Sequence, residues 1–287
     1  QHLDGEIISA DSRLFYRGMD IGTAKPSREQ LQAVPHHLID VIDPDEEWGL
    51  AQFQQAAYAA ISDINARGKL PFLVGGSGQY IRAITQGWTP PAIEPNLELR
   101  EVLERWGEEI GVEQLHQKLE RIDPEAATKM DNRNLRRLVR AFEVIFQSGR
   151  LFSTQRERDE VSYSIFQLGL IRSRASLYAR IDQRLESMLA QGWEAEVERL
   201  FQSGYSTDLP SMSAIGYAQL GEVARGKIER DEALRIIKQK SHAFVRRQAN
   251  WFKAEDPSIH WFDLDQGENP ADMEAAIREF LLNKGKD

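Results

Sequence analysis

The chain of 287 residues is 41% hydrophobic and 28% charged, enough apolar material to bury a core and too much for a disordered tail. Its 36 Lys and Arg stand against 45 Asp and Glu, a formal net charge of −9, so the field of the whole molecule repels polyanions and any nucleic acid must be held by a local cationic patch. With no cysteine, disulfides, thiolate nucleophiles and Cys-ligated zinc or iron–sulfur sites are excluded together.

No run approaches the roughly 20 apolar residues that cross a bilayer, and Gln1-His2-Leu3-Asp4 has nothing of the basic-then-apolar start of a signal peptide. No membrane partner and a cytoplasmic location are expected. The first residue is Gln, and the chain enters an apolar strand almost at once. A fragment lacking its natural beginning is therefore expected.

In chain order, Glu6-Ile7-Ile8-Ser9-Ala10 reads as a short buried strand ending at Asp11, because polar residues stop a β-branched run there. Asp20, Asp40 and Asp43 fall in loop-like sequence and read as solvated acids. The adjacent His36 and His37 have no spaced partner, which is poor geometry for a metal, and no metal ligands are assigned. Residues 50–66 carry a helical pattern. Leu70-Pro71-Phe72-Leu73-Val74 reads as a second strand entering the cluster Gly75-Gly76-Ser77-Gly78. From Thr89-Pro90-Pro91 onward only helical periodicity and charge remain, so 90–162 reads as an inserted helical domain, leaving 1–89 and 163–287 as an α/β core. The best helix of the insertion is 133–147, with Leu135, Leu138, Val139, Phe142, Ile145 and Phe146 on its apolar face and Gly149 as its stop. Beyond it, 165–171 reads as a strand, 231–254 as a long basic helix with Ile237, Phe244 and Trp251 on its apolar line, and 260–264 as a last strand. Strands alternating with helices predict an α/β fold with a parallel sheet covered on both faces.

Asp11, at the carboxyl end of a strand, has two readings. It is a turn or cap residue, or a carboxylate that reaches a ligand at the rim where open α/β sheets bind them. The glycine cluster is likewise a tight strand-to-helix turn or a loop whose N–H groups face a ligand. It lacks the Lys and Ser/Thr of a G-x-x-x-x-G-K-[ST] phosphate loop, and the chain has no such loop elsewhere. Arg133, Arg136, Arg137 and Arg140 repeat at helical spacing with little acid interleaved. With Arg246 and Arg247 they read as phosphate clamps, since guanidinium forks match phosphate oxygens, the other reading being a merely solvated helix face.

These pieces resemble the tRNA dimethylallyltransferases, also called tRNA isopentenyltransferases. The matching stretches are Gly5 to Arg13, Tyr16-Arg17-Gly18-Met19-Asp20-Ile21-Gly22-Thr23-Ala24-Lys25-Pro26, Pro35-His36-His37-Leu38-Ile39-Asp40 and Leu73 to Tyr80. Farther on come Arg137, Arg140-Ala141-Phe142-Glu143-Val144, Ala214-Ile215-Gly216-Tyr217 and Arg246-Arg247-Gln248-Ala249-Asn250-Trp251-Phe252.

The resemblance implies a P-loop-type core with a helical insertion gripping the tRNA anticodon stem-loop, in a monomer. The implied reaction moves a dimethylallyl group from dimethylallyl diphosphate to N6 of adenosine 37, beside the anticodon, releasing diphosphate with Mg²⁺ as cofactor. It also implies that Asp11 is the general base, with Ser77 beside it where the family usually has Thr. Asp11, Ser12, Arg13, Leu14, Ser77, Arg100, Arg136, Arg137, Arg140, Arg246, Arg247, Gln248, Trp251 and Lys253 would touch tRNA, as would Ser213 and Ala218. Those last two depart from the family, which commonly has Arg or Gln at the first and Arg or Lys at the second. The family also begins with a strand, a nucleotide- and ATP-binding-type phosphate loop and a helix that this chain lacks before Gly5. No diphosphate-binding residue is therefore assigned, and an inactive fragment is expected. A nucleotide-kinase-like phosphotransferase and a non-catalytic RNA-binding protein are the rival readings.

Overall fold

In the computed structural model, residues 3–91, 93–155, 157–158, 160–267 and 269–284 are described; Gln1 and His2 of the start read above lie outside them. The chain divides into two units, Gln1–Ile84 with Ser162–Asp287, and Thr85–Val161.

The first unit begins with strand β1 (Gly5–Ser9), helix α1 (Arg28–Ala33), strand β2 (His36–His37), helix α2 (Leu50–Ala66), strand β3 (Leu70–Val74) and helix α3 (Gly78–Thr85). A capping box starts α1: Gln30 N–H donates to Ser27 Oγ (3.3 Å) and Ser27 N–H to Gln30 Oε1 (2.8 Å), satisfying two N–H groups the first turn leaves free. In α2, Phe53, Ala57, Ile61 and Ile64 recur on one buried face and pack on β1 and β3. β1 is the middle strand. It pairs in parallel with β3, Gly5 opposite Leu70 through Ser9 opposite Val74, and with β2, Ile7 opposite His36. Glu6 is a buried acid on β1, bound by Arg67, Lys69 (3.1 Å) and His37 Nε2 (2.8 Å). The Arg67 guanidinium and the His37 ring hold its carboxyl well below the usual carboxylate range.

The second unit holds strand β4 (Trp88–Thr89), helices α4 (Leu97–Ile110), α5 (Val112–Ile122), α6 (Pro124–Thr128) and α7 (Leu135–Ser148), and strand β5 (Glu157–Arg158), antiparallel to β4. Leu103, Leu115, Leu119, Leu138 and Phe142 form its core. The α7 helix ends at Gly149 with φ of +66°, a left-handed cap that a side chain would strain. Phe146 departs from the expected apolar face. It is 52% exposed and leans on Phe142 at 5.7 Å, while its neighbour Ile145 is buried in the core.

The first unit resumes with strand β6 (Gln167–Ile171), helices α8 (Arg174–Ala190), α9 (Trp193–Gln202), α10 (Tyr217–Ala224) and α11 (Arg230–Trp251), strand β7 (Ile259–Asp263) and helix α12 (Pro270–Lys284). β6 and β7 pair in parallel, Gln167 opposite Ile259 through Ile171 opposite Asp263. The fold is α/β with parallel strands flanked by helices. The described parallel strands form two sheets, ordered β2-β1-β3 and β6-β7, and Val74 and Leu170 stand 52% and 55% exposed. β3 has a neighbour on one side only, so its other edge meets no described strand.

Candidate functional site

β1 and β3 end side by side, tied by Ala10 N–H donating to Val74 O (2.7 Å). The two chain continuations then stay together, with Ser12 N–H donating to Ser77 Oγ (3.4 Å). Asp11 N–H donates to Ser9 Oγ (3.3 Å), and Asp11 Oδ1 accepts from Arg13 N–H (2.9 Å). One carboxylate oxygen thus closes a local turn. Among the described residues the other accepts no hydrogen bond, and no cation pairs with Asp11. The side chain is half-buried and at the strand's carboxyl end, so the turn geometry and the rim position coexist.

Packing explains the glycine cluster. A Cβ on Gly75 would lie 2.4 Å from Ala10 O, and one on Gly78 would lie 2.4 Å from Trp251 Cγ. The end of α11 therefore sits on this turn, where Gln248 Nε2 donates to Gly76 O (3.3 Å). Arg82 Nη2 donates to Trp251 O (3.0 Å), its guanidinium 5.2 Å from the Trp251 ring. Beneath, Tyr80 stacks on Phe53 at 4.5 Å and on Phe15 at 5.8 Å, anchoring both continuations in the core. Burial, with the negative Asp11 nearby, pushes the Tyr80 hydroxyl up to about 12.

The loops of the Tyr16 to Pro26 and Pro35 to Asp40 motifs are fixed through aspartates that read as solvated in the sequence. Lys25, whose side chain is 6% exposed, binds Asp20 and Asp40 and donates to Tyr16 O (2.6 Å). Arg17 pairs with Asp43 at 3.0 Å. Ala24, Leu38 and Asp40 hold left-handed φ of +55°, +62° and +55°, conformations that cost about 1 kcal/mol or more each and persist only where surroundings enforce them. The enforcing element on the other side is α9. Its buried Glu196 accepts from the N–H groups of Asp20 (3.0 Å), Ile21 (2.8 Å) and Gly22 (3.3 Å) and from the Tyr217 hydroxyl (2.7 Å). Burial and the Glu196 charge push the Tyr217 hydroxyl far up. Trp193 fills the space between the two loops, since a Cβ on either Gly22 or Gly216 would lie 2.0 Å from its ring. Arg13 reaches the same segment, donating to Pro210 O (3.2 Å) and Ser213 Oγ (3.1 Å). Ser213 is thus Arg13's partner. Leu14 O accepts from Asp40 N–H (3.1 Å), and Ala218 lies in the first turn of α10.

Several sequence readings change. Asn134 caps α7 by accepting from Arg137 N–H (3.2 Å), so Arg133 precedes the helix and pairs with Asp131 at 3.4 Å. The supposed four-arginine stripe is three residues long. It is also not free of acid, because Glu143 on the same helix takes Arg140 (2.6 Å) and, from α4, Arg100 (2.9 Å). Arg136 and Arg137 are exposed. Arg246 donates to Tyr178 Oη (3.2 Å), Arg247 lies 5.5 Å from the Phe244 ring, and Lys253 lies past the end of α11. Asp11, Ser12, Arg13, Ser77, Gln248 and Trp251 come together at one rim. Arg100, Arg136, Arg137 and Arg140 belong to the other unit.

Sequence reading missed Glu196, Trp193, Lys25 and Glu143. A signal existed for two of them. Trp193, Glu196, Val197 and Leu200 follow helical spacing, and so do Val139, Phe142, Glu143 and Phe146, which puts an acid in an apolar stripe.

These features define an α/β protein with a candidate site at the carboxyl rim of parallel strands and a second, helical unit carrying arginines. Residues 14–255 match the model of the IPP transferase family, and the chain belongs to that family. It is 49% identical over 281 residues, 98% of this chain and 92% of the relative, to the tRNA dimethylallyltransferase of Roseiflexus sp. strain RS-1. The crystal structure of the full-length tRNA isopentenylpyrophosphate transferase of Bacillus halodurans is similar with TM-score 0.69 at 37% identity, covering 99% of this chain and 89% of that one. A eukaryotic dimethylallyltransferase acting on tRNA shares the fold, with TM-score 0.80 at 23% identity over 99% of this chain and 74% of its own.

Proposed function

We propose that this chain is a tRNA dimethylallyltransferase that moves the dimethylallyl group of dimethylallyl diphosphate to N6 of the adenosine beside the anticodon. Relatives of this name at up to 49% identity over nearly the whole chain support the activity. The observation that carries the mechanism is Asp11, a rim carboxylate with one oxygen unengaged and no cation beside it among the described residues. The exocyclic amine is a poor nucleophile while its lone pair is conjugated with the ring. Asp11 orients it and accepts its proton as the N6–C bond forms, while the C–O bond to diphosphate breaks and the leaving group takes the electron pair. Ser77, whose Oγ already meets the Ser12 N–H, borders the same space. The target base must leave its stack, at a cost of a few kcal/mol offset by pocket contacts, and loop bases are the ones that can be splayed out.

Arg136 and Arg137, with Arg100 and Arg140, are proposed to hold the anticodon stem-loop, and Arg246, Arg247 and Lys253 to meet tRNA backbone. Mg²⁺ is proposed as a companion of the diphosphate, since that ion is held largely by phosphate oxygens and water. Among the described residues no cluster of His, Asp and Glu is suited to hold an ion, so no residue and no step is assigned to it. No described helix is long and apolar enough to cross a membrane, in keeping with the proposal of a cytoplasmic monomer.

Dimethylallyl transfer to tRNA, with tRNA affinity measured beside it, tests this reading. Asp11→Asn is expected to lose roughly 10²-fold or more in transfer with tRNA affinity kept. Transfer at the unsubstituted rate removes Asp11 from the mechanism.

A further inference from the structure

Glu143 is wholly buried on α7, and all its partners are donors. Its Oε1 accepts from the Asn96 N–H (2.8 Å) and from Arg100 Nε (2.9 Å), and its Oε2 from Arg140 Nη1 (2.6 Å). Arg140 Nη2 also donates to Ile93 O (2.9 Å). The side chains of Arg100 and Arg140 nevertheless remain 32% and 27% exposed. Burial pushes the Glu143 carboxyl up, but Arg140, the Asn96 amide and Arg100 outweigh it and hold it below the usual value.

One carboxylate cannot neutralise two guanidiniums. The trio keeps a surplus positive charge, and Arg136 and Arg137 add two exposed cations on the same helix. The inward edges of both forks are occupied, while the Arg100 terminal nitrogens have no protein acceptor among the described residues. An acid at this position is an expensive way to join α4 to α7, because its neighbours on the stripe, Val139 and Phe142, do so by apolar packing. What an apolar residue could not do is fix the direction of two guanidiniums. An arginine already held in place loses less side-chain freedom when it meets a phosphate.

We propose that Glu143 is a positioning residue for phosphate recognition, holding the Arg100 and Arg140 guanidiniums as a preformed pair of prongs for the RNA backbone. The proposal rests on the reading of the helical unit as tRNA-binding. It differs from simple attraction in the sign of one experiment. Glu143→Gln removes a negative charge beside the cations, so a field argument demands tighter binding and a steeper salt dependence. Positioning demands weaker binding, by about tenfold, with the slope of log K against log salt shallower by about one.

The test titrates a labelled anticodon stem-loop RNA against this chain over a range of KCl concentrations, with circular dichroism and thermal unfolding recorded for each variant. A folded Glu143→Gln that binds as tightly as the unsubstituted chain, or more tightly, overturns the proposal. Arg100→Lys and Arg140→Lys keep the charge but lose the fork geometry, and a several-fold loss is expected for each. If Glu143→Gln does not fold, unchanged affinity in both lysine variants overturns the proposal in its place. Absence of salt-dependent RNA binding by the unsubstituted chain defeats the tRNA-binding reading itself. Binding that is undiminished in a folded Glu143→Gln defeats only the prongs.

Discussion

Glu196→Ala tests whether one buried acid latches the loop at residues 20–22 to Tyr217. Three main-chain N–H groups and the Tyr217 hydroxyl converge on its carboxylate at 2.7 to 3.3 Å. After truncation each loses its acceptor, and a buried donor left without one costs about 1–3 kcal/mol. The penalty is not the same for all four. Asp20 is exposed and Ile21 and Gly22 are half-buried, so water reaches some of these amides, while the wholly buried Tyr217 keeps the full cost. Together with the lost packing the expected destabilisation is about 3–5 kcal/mol, a large share of the roughly 5–15 kcal/mol that holds a typical domain. Glu196→Gln keeps the shape but turns N–H groups toward donors, and about 2 kcal/mol is expected. Urea unfolding with an unchanged m-value measures the loss, and hydrogen exchange at residues 20–22 locates it. A Glu196→Ala protein within about 1 kcal/mol of the unsubstituted one, with those amides exchanging at the original rate, would refute the latch.

Gly78→Ala places a methyl 2.4 Å from Trp251 Cγ, so the end of α11 must shift. A loss of about 1–3 kcal/mol is expected, with a change in tryptophan fluorescence, and unaltered emission and stability would contradict the packing. Asp265 is held down to about 2 from the usual 3.8 by the Ser173 N–H and hydroxyl, with help from Arg172. A carboxyl depressed in the folded state stabilises above its unfolded pKa and ceases to do so as pH falls through the folded one. Asp265→Asn is therefore less stable than the unsubstituted chain at pH 7, and the gap closes as pH falls from about 4 toward 2; a gap constant with pH in urea titrations removes the ionic contribution. Arg136→Ala and Arg137→Ala are each expected to weaken tRNA binding and make its salt slope shallower by about one, whereas identical slopes would mean that these arginines meet no phosphate.

The sequence alone determined the elements whose signal is local. The α2 helix matches its reading residue for residue because its apolar positions recur at helical spacing, and Leu70 to Val74 is bounded by its own glycine cluster. Family membership was legible for the same reason, since its motifs are contiguous stretches. What the tertiary structure decided lies between distant segments. The roles of Glu6, Glu143 and Glu196 were not legible, because the donors that accompany their burial arrive from elsewhere in the chain: His37, Arg67 and Lys69 for the first, Arg100 and Asn96 for the second, residues 20–22 and Tyr217 for the third. The glycines of the 75–78 turn are explained by Ala10 and Trp251, not by their own neighbours. Splitting of the parallel strands into two sheets is of the same kind, since strand pairing is a hydrogen-bonding choice among segments far apart in sequence and hydrophobic period says nothing of the partner.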